Sequence, residues 1–350
     1  MSFEIFIAAV MLVALMIYAL TGGADFGGGV WDLLARGPRE LQQRKLISQA
    51  IAPIWEANHV WLIVVIVLLF TAFPLAFAAI MTALNIPLTL MLIGIVLRGA
   101  AFAFRAYGIQ SEEARRTWER VFAIASVYTP VMLGVTLGAT ISDAIRVDPA
   151  TGEMLVNFWE AWLRPFPFVV GLLVLALFAF LAAVYLTVEA KGQPELQEDF
   201  RRRGLGTAVV VGGLAFVALL LARNGAPRIF TGLTGHWWSI PFQVVTGFAA
   251  VGAMWALWQR RYALARMLAA AQVGLMVAGF GLALLPYIVP PDLTLMDTAA
   301  PRSVLLPVSI VLVVGLLLIG PAFWWLYTIF KGQQHEDHPS QSSLPTETNN

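Results

Sequence analysis

The residues of this sequence that could do chemistry are few, and they sit at the edges of long apolar runs. They are Asp25 in TGGADFGGG, Glu56 and His59 in IAPIWEANHVWLI, Arg98 and Arg105 in GIVLRGAAFAFRAYG, and Asp143 in ATISDAI. A charge at the centre of a membrane helix costs about 2.5–3.5 kcal/mol on insertion scales, so such residues mark pathways or partner contacts. Glu56 and His59 are three apart and share a helix face, extended inward by Val60 and Ile63. A carboxylate and an imidazole placed in this way can hand a proton along stepwise. The same spacing also fits a plain packing role, with Glu56 favouring the positive end of the helix dipole and His59 filling space.

Asp25 stands among Gly22, Gly23, Gly27, Gly28 and Gly29, which let backbones approach closely and would leave amide groups free near the carboxylate. A nucleotide loop does not fit, because no strand pattern precedes the glycines and no Gly-Lys-Ser/Thr follows. Arg98 and Arg105, seven apart on one face, could neutralise Asp25 or Glu56, bind an anionic headgroup or hold a partner's carboxylate. Structural ion pairing is the preferred reading.

Metal and haem chemistry is constrained by counting. The chain has no cysteine, which excludes thiolate metal sites, disulfides and CxxC haem attachment. Of the 4 histidines only His59 is placed at a span; His236 lies in TGHWWSIP, and His335 and His338 lie in the polar tail. A bis-histidine haem within this chain is therefore disfavoured, while a His–Met site using one of the 11 methionines stays open. The tail HxxH has no fixed scaffold and is not read as a metal site.

The elements that must position these groups are membrane helices. The chain has 350 residues, is 59% hydrophobic and 12% charged, and its mean hydropathy of +0.78 lies outside the soluble range. A bilayer core of roughly 30 Å needs about 20 apolar residues. The sequence has about nine such runs, at about 3–23, 54–74, 76–100, 120–142, 165–190, 204–222, 243–259, 265–288 and 302–330, with a tight turn expected near Pro74. The fold class is thus an all-α polytopic membrane protein, with two four-helix bundles and one extra helix. Runs one to four and five to eight start on the same side, which suggests parallel pseudo-repeats over about 1–145 and 160–290. YALTGGADFG and YLTVEAKGQ occupy similar places in the two. Residues 1–332 form a single transmembrane domain in this reading, and 333–350 a disordered tail.

Basic residues give the orientation. The odd-numbered connections hold Arg36, Arg39, Arg44, Lys45, Arg105, Arg115, Arg116, Arg120, Lys191, Arg201, Arg202, Arg203, Arg260, Arg261 and Arg266, against Arg146, Arg164, Arg223, Arg228 and Arg302 in the even-numbered ones. The N-terminus is expected outside and the C-terminus in the cytoplasm, which puts Asp25, Glu56, His59, Arg98 and Arg105 toward the cytoplasmic side. The first run lacks a cationic leader and a small-x-small cleavage site, so it reads as a retained helix. A net charge of +1 without a basic run gives no sign of a nucleic-acid partner. Most of the 12 tryptophans, Trp31, Trp55 and Trp61 included, lie near run ends and read as interfacial belts.

In order and spacing, TGGADFGGGVWDL, APIWEANHVWLI, LFTAFPLAFAAI and GIVLRGAAFAFRAYG closely resemble subunit II of the cytochrome bd-type quinol oxidases, specifically across about residues 15–110. The resemblance implies a subunit of a respiratory terminal oxidase of the bacterial cytoplasmic membrane, in which quinol is oxidised, oxygen is reduced to water and a proton gradient is supported. It implies that haems b and d and the quinol-oxidising loop belong to subunit I, with this chain a haem-free, pseudo-symmetric partner. It also allows for a structural quinone and a small single-helix third subunit. A proton path from the cytoplasm, carried by one carboxylate after the first helix and one at the start of the second, maps onto Asp25 and Glu56. Other members resemble Asp and Gln at the places of Glu56 and His59, so the acid is kept and His59 departs from the pattern. Two other readings are a secondary transporter with a carboxylate-lined site, whose groups would be expected nearer the midplane, and a purely structural assembly subunit.

Overall fold

Without water to satisfy peptide groups, an apolar chain in lipid must close its own hydrogen bonds, and helices do so. The computed structural model describes the backbone of residues 2–51, 55–107, 111–148, 151, 153, 155 and 158–336, and the side chains of Glu56 and Arg105 lie outside the described set. Thirteen helices follow in order: α1 Phe3–Leu33, α2 Glu40–Ile51, α3 Trp55–Ala72, α4 Pro74–Ala83, α5 Asn85–Tyr107, α6 Glu112–Ile141, α7 Phe158–Trp162, α8 Pro165–Glu189, α9 Pro194–Gly225, α10 Pro227–Gly235, α11 Ser239–Trp258, α12 Tyr262–Leu284 and α13 Arg302–Glu336. A short antiparallel pair, β1 Tyr287–Val289 with β2 Leu293–Thr294, lies between α12 and α13.

Among the described residues, 7 helices are long and apolar enough to cross a membrane, or up to 8 if the bent pair α3–α4 counts as one span. The expected nine differ from this in two places. The run 76–100 is not one helix: α4 ends at Ala83, Leu84 breaks the helix, and the span proper is Asn85–Phe104. Pro74 starts α4 at N1, where its missing N–H costs nothing, and the chain bends by 118° between α3 and α4. The last run is represented in the described residues by the shorter apolar stretch Arg302–Leu318. The expected tail begins inside a helix, since α13 continues to Glu336, and 337–350 fall outside the described residues.

The chain divides into two units, Met1–Ala300 and Pro301–Asn350. In the first, α1 packs on α3 and α6, and α5 on α6; then α8 packs on α9 and α12, and α11 on α12 and α9. The two sets meet mainly where α8 lies against α1 and α6. α8 is accordingly the most buried span, with Phe180, Leu181, Ala183 and Val184 nearly inaccessible. Among the described residues the second unit holds the helix α13, 35 residues long, with Pro307 and Pro321 inside it.

One expectation about α1 is corrected. The helix does not stop at the glycines but runs through GGADFGGG to Leu33, so the amides there belong to the helix and are not free for the carboxylate. Glycine is a poor helix former, by about 1 kcal/mol relative to alanine, and packing against neighbours overrides this. A Cβ built on Gly27 would lie 1.9 Å from the Phe178 carbonyl oxygen of α8, and one on Gly29 would lie 2.2 Å from the Ser126 Oγ of α6. The glycines let α1 seat backbone against backbone.

Candidate functional site

Asp25 lies inside α1, two turns before its C-terminal end, and is 2% exposed. Arg98 of α5, also 2% exposed, meets it in a two-pronged ion pair: Nη2 donates to Oδ1 at 2.6 Å and Nη1 to Oδ2 at 2.9 Å. Nη2 also donates to the Asp25 carbonyl oxygen at 3.2 Å, and Nε donates to the Ser126 Oγ of α6 at 3.1 Å. Ser126 in turn donates to the Phe122 carbonyl oxygen at 2.7 Å. The guanidinium carbon stands over two rings, 4.6 Å from the centroid of Phe26 and 5.0 Å from that of Phe122. One arginine thus links α1, α5 and α6, with its charge met by a planar carboxylate and by two aromatic rings, partners a guanidinium prefers.

His59 of α3 shares Phe26 with Arg98 as a neighbour. Its ring centroid is 5.9 Å from that of Phe26 and 6.1 Å from that of Tyr18, a residue 1% exposed. Its Nδ1 is buried and has no hydrogen-bond partner among the described residues. Phe26 therefore touches both the guanidinium and the imidazole. The preceding residue, Asn58, is buried and donates from Nδ2 to the Thr21 carbonyl oxygen at 3.4 Å, tying α3 to α1. Glu56 is in the first turn of α3, and its position relative to His59 follows from the helix register alone. Asp25, Arg98 and His59 thus come together, while the side chains of Glu56 and Arg105 lie outside the described residues. Among those residues, no group of three or more His, Cys, Asp or Glu could hold a metal ion.

Other ionic ties lie at the two ends of the spans. Arg39 donates to Asp199 at 2.7 and 2.9 Å, and Gln43 of α2 joins the same carboxylate at 2.8 Å, fastening the α1–α2 connection to α9. The hydrogen bonds to Asp199 hold the Arg39 guanidinium still more firmly protonated. At the other end, Arg228 donates to Asp143 at 3.0 Å and Arg146 to Asp292 at 2.8 Å, while the Arg228 guanidinium stands 5.0 Å from the Tyr287 ring centroid. Burial pushes the Asp143 carboxyl up from its ordinary value, and Arg228 and Arg146 oppose this without overcoming it.

Sequence reasoning did not single out Tyr18, Phe26, Phe122 or Ser126. A tyrosine and a serine inside apolar runs were the available signals. Trp31 was assigned to a belt but is buried, donating from Nε1 to the Ala179 carbonyl oxygen of α8 at 2.8 Å. Trp237, Trp258 and Trp325 are well exposed, as a belt requires.

The sequence matches the family model described as cytochrome bd terminal oxidase subunit II over residues 3–330. The chain is 22% identical over 324 residues to the putative cytochrome bd menaquinol oxidase subunit II of Bacillus subtilis, covering 90% of this chain and 91% of that protein. To the cytochrome bd-I ubiquinol oxidase subunit 2 of Escherichia coli it is 28% identical over 212 residues, 60% of this chain and 53% of that protein. The fold is similar to a chain in the structure of bd oxidase from Geobacillus thermodenitrificans, with a TM-score of 0.78 at 22% identity, covering 94% of this chain and 99% of that one. With a buried ion pair in a helical membrane fold and a family match over nearly its whole length, this chain belongs to the cytochrome bd terminal oxidase subunit II family.

Proposed function

We propose that this chain is the haem-free second subunit of a quinol-oxidising, oxygen-reducing complex, and that it carries protons from the cytoplasm toward subunit I by way of Glu56, His59 and Asp25. The observation that carries the reading is the meeting around Phe26 of Asp25, Arg98 and His59, whose Nδ1 has no partner among the described residues. A buried carboxylate with a buried imidazole nitrogen close by is what a proton relay needs, and an apolar helix interface does not require either. Arg98 compensates the Asp25 carboxylate in low dielectric, so the anion that would accept the proton is tolerated inside the membrane.

The excess of basic residues in the odd-numbered connections supports an N-terminus outside and a C-terminus in the cytoplasm. Asp25, His59 and Arg98 then lie in the cytoplasmic part of the bilayer. Haems b and d belong to subunit I in this reading; bound there, they supply electron transfer and oxygen chemistry. His59, with its ring set against Tyr18 and Phe26, has no second histidine beside it among the described residues and is assigned to proton transfer. An apolar cavity of about 320 Å³ in the second half, lined by residues such as Phe166, Phe242, Gln243, Gln272 and Met276, has the size and lining to suit a structural quinone. The two helix sets also pair off in parallel order, α1–α3 like α8–α9 and α5–α6 like α11–α12, which supports a duplication. A small single-helix subunit is compatible with the exposed apolar faces of the spans.

One specific observation favours a second reading. Asp25 and Arg98 are held so completely that they could act as a structural clamp and nothing more. Glu56→Gln and Asp25→Asn in the purified complex separate the two readings. Slowed quinol oxidation and proton uptake with intact haem spectra support the path, and normal uptake in both leaves the clamp. Because Asp25→Asn leaves Arg98 unpaired, Asp25→Glu serves as the variant that keeps the charge.

A further inference from the structure

We infer that Glu189 and Arg266, both in the second half of the chain, form the cytoplasmic mouth of a cleft through which protons reach Asp25. The inference rests on the reading of Asp25 as a proton carrier. A cleft of about 80 Å³ lies between α1, α2, α8 and α12 and is lined by Asp25, Gly28, Ala50, Tyr185, Glu189 and Arg266 among others. A single water requires about 10–15 Å³ of such space, so a short file of waters fits. The small residues Ala24, Gly28 and Ala182 share the lining with Asp25 and leave room for it.

The two ends of the cleft differ in the way a conduit should. The Glu189 and Arg266 side chains are 49% and 46% exposed and meet at 3.6 Å, a loose pair open to solvent. The Asp25 side chain at the inner end is 1% exposed and held at 2.6 Å by Arg98. The Arg266 guanidinium also stands 4.8 Å from the Tyr185 ring centroid, which shares its attention and leaves Glu189 free to exchange with water. The ionisable groups lining the cleft are Glu189 and Tyr185 of α8, Arg266 of α12 and Asp25 of α1; α2 contributes the apolar Ala50.

Glu189 takes one proton from a hydronium or buffer acid in the bulk and releases one to cleft water. That water passes one on to the Asp25 carboxylate, and Glu189 returns to its anion. Only O–H bonds are made and broken. Arg266 at the mouth repels sodium and potassium ions, while a proton hopping between waters is collected by the carboxylate beside it.

The test uses the whole oxidase complex, with haem spectra as the check on assembly, and reads quinol-driven oxygen consumption and proton uptake across pH. Glu189→Gln is expected to slow both by about tenfold at alkaline pH, less than the roughly 10²–10⁴ of a group acting at the reacting atoms. Added small weak acids should restore the rate. Ala50→Leu, which narrows the cleft without touching a charge, should slow uptake in the same way. An unchanged pH profile in Glu189→Gln, with Asp25→Asn impaired, overturns the mouth and leaves the path. Normal uptake in Asp25→Asn removes the path and this inference together. A Glu189→Gln complex that is merely less heat-stable, with its pH profile unmoved, also overturns it.

Discussion

Gly27 of α1 and Phe178 of α8 meet backbone to backbone, so close that a methyl group on Gly27 would lie 1.9 Å from the Phe178 carbonyl oxygen. The contact fixes how deeply α1 sits against the most buried span, and with it where Asp25 and Trp31 can reach.

Gly27→Ala should therefore prevent stable assembly, because the clashing atom is backbone and cannot rotate away. Gly206→Ala on the exposed face of α9, where a Cβ meets nothing within 4 Å, should be tolerated. It should even stabilise its helix by up to about 1 kcal/mol. Thermal unfolding of the detergent-solubilised complex, followed by haem absorbance, distinguishes the two.

Removing one member of the Asp25–Arg98 pair strands a buried charge, which costs about 3–5 kcal/mol. Asp25→Asn and Arg98→Met should each lower stability by that order, and the double variant should lose much less than their sum. A thermodynamic cycle from unfolding midpoints measures the coupling, and simple additivity would mean that the groups act independently.

Trp31→Phe deletes the Nε1–H donor to Ala179 while keeping most of the aromatic bulk. The expected loss is about 1 kcal/mol. Replacement of the exposed Trp237 by Phe should leave stability unchanged.

Asp143 provides a pH signature. Its carboxyl is raised above the ordinary 3.8, chiefly by burial, so between that value and its higher folded value the folded chain holds the proton more tightly than the unfolded chain. Stability then falls as pH rises through that window and levels off above it. Asp143→Asn should flatten this part of a melting-temperature curve, and a curve with the same slope in the variant would assign the effect to another group.

Arg39→Ala should loosen α2 from α9. Hydrogen exchange over residues 40–51 should quicken while exchange in α8 stays as slow as before.

The membrane class, most of the spans and the residues of the ion pair were legible in the sequence, since long apolar runs and isolated charges are strong signals in lipid. The break at Leu84 has a local signal in Asn85 and Pro87, but they are set in a stretch apolar enough on both sides to read as one span. The continuation of α1 through its glycines was hidden for the opposite reason: local propensity argued for an end, and packing against Phe178 and Ser126 overrode it. Arg98 was legible as a counter-charge, but not the choice of Asp25 as its partner. That choice depends on a crossing of α1 and α5 that no spacing within either helix encodes.

The distance in sequence between Asp25 and Arg98 also bears on how the chain is made. Their pairing spans 73 residues, so α1 is synthesised with a bare carboxylate well before the cation that satisfies it exists. Until α5 emerges, α1 carries an uncompensated carboxylate near its C-terminal end, at a cost below the roughly 2.5–3.5 kcal/mol of a charge at a helix centre. The cation that settles this carboxylate is in turn seated against Phe122 of α6, so the unit whose charges are all satisfied is the stretch from α1 through α6.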